Sequence, residues 1–435
     1  MLGFEDSAQP TVHDPALQPT SNGLLPCWSG SLSLSRVTDS LATGAGVAAI
    51  PVRVRTITAG VELSDAIELD RIEAAVAFVL RARKSFEAAG YEVQTTRIAT
   101  NPCIAAFDPA ARDRALVQLQ ALDRIVTPSG VIASIGPVLS ANRSDDSLVE
   151  WAQELVRTTR SISFSTVIAS PEGGVHANAA LTTAQMMMAL ARTLPDGMAN
   201  FRFAAAANIP AGTPFFPVAW HRGADAFAIG MEAASVLEWA FSTLAEGVDA
   251  LEQLRGCLNE VLAPVENLAL EIARREHRQY VGIDTSPAPA KDRSIAAAIE
   301  ALTQAPFGST GTLAACSTIT AALKSVSVRT CGYSGLMLPV LEDPLLAQRA
   351  GEGRYSIRDL LLYSSVCGTG LDVVPIPGDT PIPVIAGLLR DVAALASRLR
   401  KPLSARLFLV PGKNAGDLAR FTDPLLTDSV VMKVD

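Results

Sequence analysis

One glycine, Gly332, stands in the segment SVRTCGYSG and fits two different chemistries. A radical centred on a backbone Cα needs a residue without a side chain, so that the radical centre can be planar. A tight turn needs only a residue that tolerates positive φ, which glycine does at little steric cost. We prefer the turn, and the radical stays as the alternative.

Two loops place a histidine beside groups that could bind an anion. In SPEGGVHAN, Glu172 and His176 precede a predicted helix, whose free N–H groups favour an anion. The same string also fits a strand-to-helix turn capped by Glu172 or Asn178. In TPFFPVAWHRG, His221 and Arg222 arrive together and could position and protonate a carboxylate or phosphoryl oxygen. The alternative there is a rigid loop with a hydrogen-bonded histidine.

The string VCGTGLDVVPIPGDTP carries a thiol and two carboxylates. Cys367 stands directly before Gly368, so the backbone could push the thiol into a cavity, within reach of small reagents. Asp372 follows as a candidate acid or base. Asp379 is a candidate binding group, but it is also well placed to cap the helix that should begin after it.

Three further polar residues are candidates for substrate binding. Asp284 and Ser286 in IDTSPAP could hold a metal ion or a substrate hydroxyl, although such clusters are usually turns. Lys413 lies among glycines in PGKNAGD, which only weakly resembles a phosphate-binding loop. Because the GxxxxGK[ST] spacing is absent, a nucleoside triphosphate site is not expected.

Composition limits the class of protein. The 435 residues are long enough for one large α/β barrel or two domains, and 49% hydrophobic against 18% charged residues suits an enzyme or a homo-oligomer that buries apolar faces. A net charge of −8 without a basic run argues against nucleic acid. No stretch resembles a membrane span or a leader, so we expect a cytoplasmic protein without membrane contact. Six cysteines without a CxxC pair read as free thiols.

Strand and helix patterns alternate from about Val52 onwards. Alternating or apolar runs predict strands at residues 52–61, 91–100, 131–138, 162–170, 201–209, 279–284, 370–377 and 405–411. Helical spacing predicts helices at 68–90, 147–159, 177–194, two within 231–276, near 290–304, 310–325 and 383–399. This order favours a mostly parallel sheet in one domain over residues 51–435, after a loosely ordered arm over 1–50. Ligands should then collect at the carboxyl ends of the strands.

Several of these loops resemble those of the uncharacterised DUF711 (UPF0210) family, often labelled pyruvate formate-lyase-like. The similar strings are RTITAGV, SPEGGVHAN, PFFPVAWHRG with FAIGMEAAS, GIDTSPAP, CGYSGLMLPVLED, GLDVVPIPGDTP and LVPGKNAGD. The resemblance implies a ten-stranded α/β barrel, like that of glycyl radical enzymes and ribonucleotide reductases, with a loop threaded into it. It implies no established reaction.

The resemblance also bears on Gly332. SVRTCGYSG is similar to the glycyl-radical signature, with Arg329, Gly332 and Tyr333 in the matching places. In those enzymes the signature lies close to the C-terminus, whereas about a hundred residues follow Gly332 here. The thiyl cysteine would have to be Cys316 or Cys367, and a separate activating enzyme would be needed.

We therefore expect an enzyme that binds a small anionic metabolite at the barrel mouth and uses polar chemistry. The expected catalytic residues are His176, His221, Cys367 and Asp372, with the first two and Asp372 lining a common pocket. The expected binding residues are Glu172, Arg222, Asp284, Ser286, Asp379 and Lys413. The alternatives are a glycyl radical enzyme and a non-catalytic ligand-binding or structural homologue. Cofactor and metal stay open.

Overall fold

The structure is a computed structural model that describes residues 47, 50, 52–64, 67–106 and 108–434. The arm expected over residues 1–50 lies outside this range except for residues 47 and 50. All described residues fall in one compact unit of the chain. Within the described part, no helix is both long and apolar enough to cross a membrane.

Ten strands form one mixed, mostly parallel sheet. They are β1 Arg53–Val61, β2 Glu92–Thr100, β3 Val131–Leu139, β4 Ile162–Ser170, β5 Gly174–Val175, β6 Phe203–Ala207, β7 Ala226–Glu232, β8 Gln279–Asp284, β9 Gly370–Pro377 and β10 Leu403–Val410. The strand order is β8-β7-β1-β2-β3-β4-β6-β10-β9, with β5 added to β4. The pairs β1–β7 and β6–β10 are antiparallel, and so is the short β4–β5 pair. A separate hairpin joins β11 Leu418–Ala419 to β12 Ser429–Val430.

The two end strands, β8 and β9, do not pair with each other, so hydrogen bonds do not close this sheet into the expected barrel. Residues 328–340 lie between them. The Cys331 N–H donates to the Ile283 carbonyl of β8 at 3.0 Å, and the Val340 N–H donates to the Asp372 carbonyl of β9 at 3.2 Å. This segment therefore contacts both ends of the sheet through isolated parallel bridges.

The helices are α1 Leu69–Ala88, α2 Pro109–Val126, α3 Ser147–Thr158, α4 Ala177–Ala191, α5 Ala234–Ser242, α6 Ala250–Glu276, α7 Ile295–Thr303, α8 Thr312–Lys324, α9 Pro344–Gly351, α10 Ile357–Ser364 and α11 Ile382–Leu399. Those connecting consecutive parallel strands cover apolar sheet surface, which is why β1 and β10 are buried almost throughout. The predicted alternation of strands and helices is confirmed.

Seven of these strands and helices escaped prediction: β7, α2, α9, α10 and the two-residue strands β5, β11 and β12. The run AFAIGME of β7 is short and apolar, a pattern that periodicity does not separate from a buried helix. The start of α2 did carry a signal, because Asp108 caps the helix by accepting from the Ala111 N–H and Pro109 occupies the first turn.

The sheet has a second apolar layer on the face away from the helices, called the inner face below. In β6, Ala205 and Ala207 belong to the large helix-covered core, whereas Ala204 and Ala206 belong to a smaller cluster. The other buried members of that cluster are Ile209, Phe215, Val218, Ala288, Tyr333 and Met337. They come from loops, so the inner face is covered by loop segments.

One of these loops, residues 209–221, lies against the carboxyl half of the parallel strands. Thr58 of β1 donates through Oγ1 to the Pro214 carbonyl at 2.9 Å. The His221 N–H donates to the carbonyl of Thr100, the last residue of β2, at 3.0 Å. The place where the sequence pattern predicts a ligand is thus taken by the chain itself.

A buried carboxylate, Asp343, joins two helices. Its oxygens accept from two backbone N–H groups in the first turn of α7, from two in the first turn of α9, and from the Ser294 hydroxyl. Asp343 is fully buried, and that burial raises the pKa of its carboxyl.

We predict that Asp343→Ala lowers the free energy of unfolding by about 3 kcal/mol, because five donors lose their acceptor at once. Asp249→Ala is the matched control, since exposed Asp249 caps only α6, through the N–H groups of Leu251 and Glu252. That variant should lose only about 1 kcal/mol. Urea unfolding of both variants measures the difference, and equal losses would contradict the double role of Asp343.

Candidate functional site

A cavity of about 930 Å³ lies at the inner face. Residues from the first halves of the parallel strands line it, including Arg55 of β1, Gln94 of β2, Ile132 of β3 and Ser163 of β4. The expected position at the carboxyl ends of the strands is therefore wrong for this cavity. The reason is the loop over residues 209–221, which covers the carboxyl half.

Four buried charged residues form a network in the cavity wall. Glu342 holds Arg55 Nη2 on one carboxylate oxygen at 3.0 Å and Arg406 Nη2 on the other at 2.8 Å. Arg406 also donates through Nε to Asp372 Oδ1 at 2.8 Å, and Arg55 donates to Gln94 at 2.8 Å. All four charged side chains are at most 10% exposed. Removing one partner would leave a buried charge uncompensated.

Asp372 keeps one oxygen free for other contacts. Both contacts from Arg406 reach Oδ1. Oδ2 accepts no hydrogen bond from the described residues, and protein atoms do not enclose it completely. It therefore reaches the cavity that Asp372 lines. Burial raises the pKa of Asp372, and the charge of Arg406 opposes that shift.

Arg97, in β2, has no acidic partner in the described part of the chain. It is 7% exposed, and its Nε donates to Thr95 Oγ1 at 3.1 Å. Its terminal nitrogens, Nη1 and Nη2, make no hydrogen bond to a described residue, and protein atoms do not enclose them completely. Its Cζ lies 5.0 Å from the centre of the Phe216 ring. Burial, followed by the like charges of Arg55 and Arg406, lowers the pKa of Arg97 to about 9, so the guanidinium remains charged at neutral pH.

Tyr333 and Ser404 form a directed hydrogen-bond chain in the same wall. Tyr333 Oη donates to Ser404 Oγ at 2.8 Å, and Ser404 Oγ donates to the Thr369 carbonyl at 3.1 Å. Burial raises the pKa of Tyr333, and the negative charge of nearby Asp372 acts in the same direction. Both hydroxyl protons are therefore engaged, and only lone pairs are left for a ligand.

The segment around Gly332 is a turn that wraps a buried carboxylate. Asp284 accepts from the N–H groups of Tyr333 at 2.8 Å and Ser334 at 2.9 Å, and from Ser286 through N–H and Oγ. Gly332 has φ +61, and a Cβ built on it would collide with the Asp284 carboxylate. Asp284 and Ser286 are fully buried and face each other, and neither lines the cavity.

The structure does not bring the predicted histidines to this cavity. His176 is buried with Nε2 3.1 Å from Ser170 Oγ, and burial lowers its pKa. The ring of His221 donates through Nε2 towards the carbonyls of Ala224 at 3.0 Å and Gly223 at 3.2 Å. Of the three residues expected to share a pocket, only Asp372 lines the cavity.

The other predicted residues lie apart from the cavity. Cys367 is 1% exposed, and burial raises its pKa, so the glycine-rich loop does not present a thiolate to solvent. Cys316 is fully buried, and burial raises the pKa of its thiol. The nearby Cys367 thiol raises that pKa further. Four predicted binding residues are exposed side chains outside the cavity lining: Glu172, Arg222, Asp379 and Lys413. The predicted cap by Asp379 is wrong, because the N-cap of α11 is Pro381 and no side chain caps that helix.

Sequence reasoning missed the arginines and the glutamate of the cavity. A signal was present in the sequence. Arginine stands in each of three apolar strings, in strands whose two faces should both be buried: VRVRTIT, QTTRIAT and ARLFLV. A buried charge needs a partner or a function. Among the described residues, no group of three or more His, Cys, Asp or Glu side chains could hold a metal ion.

A ten-stranded, mostly parallel sheet with a charged cavity on its inner face defines an α/β protein with an internal polar site. The chain belongs to the DUF711 family, because the sequence model described as "Uncharacterised ACR (DUF711)" matches residues 47–422.

Three relatives show how far this similarity extends. The UPF0210 protein of Pyrobaculum aerophilum is 31% identical over 347 residues, 75% of this chain and 76% of that protein. The UPF0210 protein of Neisseria gonorrhoeae is 27% identical over 403 residues, 85% of this chain and 87% of that protein. That of Clostridium beijerinckii is 27% identical over 418 residues, 88% and 91% of the two chains.

We predict that Gly332→Ala destabilises the protein more than positive φ alone explains, because the new methyl group would displace the Asp284 carboxylate. Gly353→Ala is the matched control, since Gly353 has φ +67 and open space where its Cβ would be. The control should lose about 1 kcal/mol and Gly332→Ala at least about 3 kcal/mol. Denaturant unfolding measures both, and similar losses would show that the Asp284 contact is unimportant.

Proposed function

We propose that the protein is an enzyme that binds a small organic anion in its inner cavity through Arg97 and moves a proton on it with Asp372. The observation that carries this proposal is the state of Arg97: a buried cation with no acidic partner among the described residues, whose free nitrogens reach a cavity of about 930 Å³. The proposal keeps the small anionic ligand expected from the sequence and replaces the histidines and Cys367 by carboxylate chemistry.

An unpaired guanidinium at this position is costly without a ligand. It lies close enough to Arg55 and Arg406 for their charges to lower its pKa. Like charges this close repel one another, and Glu342 offsets part of that repulsion. A carboxylate or phosphoryl group that accepts two parallel N–H bonds from the free edge would relieve this cost.

Another arginine of the cavity wall shows what a structural role looks like. Arg202 donates to the backbone carbonyls of Ile162 at 2.6 Å and Thr159 at 2.7 Å, and to Thr159 Oγ1 at 2.6 Å. Its guanidinium is thus used within the protein. Arg97 makes no comparable set of bonds, and this contrast supports a ligand role for it.

Asp372 is the group best placed to exchange a proton with the bound anion. Its Oδ2 reaches the cavity, while Oδ1 is held by Arg406. The raised pKa of this carboxyl moves it towards the range in which a side chain both accepts and returns a proton near neutral pH.

The two alternatives receive less support. Neither Cys316 nor Cys367 lines the cavity, and a side-chain position on Gly332 would face Asp284, so a radical route lacks a thiol at this site. A non-catalytic ligand-binding protein would use the same Arg97 contact. Binding without turnover of any anion that binds would favour that alternative.

Arg97→Met tests the proposal by separating binding from stability. The variant should melt a few degrees above the wild type, because an uncompensated buried charge is removed. It should also lose at least about thirtyfold in affinity for any anion the wild type binds. The panel comprises phosphate and mono- and dicarboxylates of two to nine carbons, measured by thermal shift and calorimetry.

Two control variants make the result specific. Arg160→Met removes an exposed arginine from the same cavity and should change affinity less than threefold. Arg202→Met should melt below the wild type, since four acceptors lose their donor. If Arg97→Met also melts lower and binds the same anions unchanged, Arg97 is structural and the proposal fails.

The proposal includes a closed barrel, in which residues 328–340 join β8 to β9. Its support is the pair of bridges at Ile283 and Asp372. The amides of Cys331 and Val340 should then exchange hydrogen as slowly as amides in the middle of β1. Native-state hydrogen exchange measures this, and exchange at the rate of exposed loops would contradict closure.

A further inference from the structure

We infer that Phe216 makes this cavity selective for carboxylates over tetrahedral oxyanions. Phe216 is then a specificity-determining residue that acts together with Arg97. This inference rests on the proposed function and adds the class of anionic group that binds. Three features carry it: the free edge of Arg97, the aromatic face against its guanidinium, and the anchored loop that carries Phe216.

Arg97 offers an edge that the other inner arginines of the cavity do not. Its Nε donates to Thr95 Oγ1, so Nη1 and Nη2 remain as two neighbouring donors without a partner among the described residues. In Arg55 and Arg202, both terminal nitrogens donate within the protein. In Arg406, Nε and Nη2 are engaged, which leaves Nη1 alone. An anion that accepts two parallel N–H bonds therefore fits Arg97.

An aromatic ring covers the guanidinium of Arg97. Its Cζ lies over the Phe216 ring, 5.0 Å from the ring centre, and both residues line the cavity. The face of a phenyl ring carries partial negative charge, which attracts the cation but repels the oxygen of an anion. An anion on the free edge must therefore keep its oxygens clear of that face.

The shape of the anionic group decides whether it meets this condition. A carboxylate is planar, so both of its oxygens can lie in the plane of the guanidinium group and none projects towards the ring. A sulfonate or phosphoryl group that places two oxygens on the same edge has its other two substituents above and below that plane. Either an oxygen or the body of the ligand is then forced against Phe216. The planar carboxylate avoids both contacts.

The loop that carries Phe216 is anchored to the sheet. The Pro214 carbonyl accepts from Thr58 Oγ1 of β1 at 2.9 Å. The neighbouring Phe215 is 5% exposed, and its ring packs where Gly230 of β7 has no side chain. A Cβ built on Gly230 would lie 2.9 Å from that ring. These contacts hold the backbone beside Phe216 against the sheet.

The test compares a carboxylate with a sulfonate of the same skeleton and the same single charge. The pairs are 4-methylvalerate with 3-methylbutane-1-sulfonate, and 3-phenylpropionate with 2-phenylethanesulfonate. Calorimetry with the full chain at pH 7 gives each dissociation constant. We expect each carboxylate to bind at least about tenfold more tightly than its sulfonate.

Variants separate the effect of the ring from the weaker basicity of sulfonate oxygens. In Phe216→Leu the ratio of carboxylate to sulfonate affinity should fall at least about fivefold, whatever happens to the absolute affinities. Phe216→Met, also without a ring, repeats the test if the leucine variant does not fold. Phe216→Tyr keeps an aromatic face and should keep the wild-type ratio.

Phe201→Leu is the matched control. The Phe201 ring centre also lies 5.0 Å from an arginine Cζ, that of Arg406, but Glu342 and Asp372 already pair with this arginine. This variant should keep the wild-type ratio.

Each outcome decides the inference. A ratio that survives the loss of the ring at Phe216, is lost in Phe216→Tyr, or falls equally in Phe201→Leu overturns it. Sulfonates that bind to the wild type as tightly as carboxylates, and depend on Arg97, overturn it and leave the proposed anion site standing. If neither class binds to the wild type, or Arg97→Met binds both unchanged, the inference and the proposed function are both wrong.

Discussion

Two adjacent acidic residues, Glu342 and Asp343, organise the region around the cavity. Glu342 holds an arginine of β1 on one oxygen and an arginine of β10 on the other. Asp343 points the other way and holds the first turns of α7 and α9. A displacement of this dipeptide would unpair Arg55, remove one of the two carboxylates that Arg406 contacts, and uncap two helix starts together. The inner charges and the outer helices are therefore coupled through one short piece of backbone.

This coupling explains why the cavity can hold an unpaired charge. Glu342 and Asp372 are held by hydrogen bonds from Arg55 and Arg406, so neither carboxylate turns towards Arg97 without breaking those bonds. The edge of Arg97 is thus left without a partner among the described residues. Under the proposed function, such a site would be organised before an anion binds.

The segment SVRTCGYSG gains a structural role in this arrangement. The turn donates its Tyr333 N–H to Asp284, and the collision expected at Gly332 explains why that position has no side chain. The same turn delivers Tyr333 to the cavity wall, where its hydroxyl meets Ser404. The glycine therefore serves the site indirectly, by letting the backbone approach a carboxylate closely enough to place the tyrosine.

Much of the secondary structure followed from the sequence, because burial on both faces gives parallel strands apolar runs and covering helices keep their period. Strands β1, β2 and β10 were predicted within a few residues. The short β7 was not, since the apolar run before its final Glu232 carries no distinguishing period. Of the four predicted catalytic residues, only Asp372 lines the inner cavity, and His176 and His221 do not. Which loop side chains share a cavity depends on how the strands and loops pack, which local sequence does not show.

The sequence by itself determined that arginines stand in apolar strand strings and that position 332 carries no side chain. Only the tertiary structure decided which arginine is left without a partner. Arg55, Arg97 and Arg406 occupy similar strand positions, and nothing local separates them. The partner of Arg55 lies 287 residues away along the chain. A charge is neutralised by proximity in space, and proximity at that separation is set by how the strands are ordered, not by their neighbours in sequence.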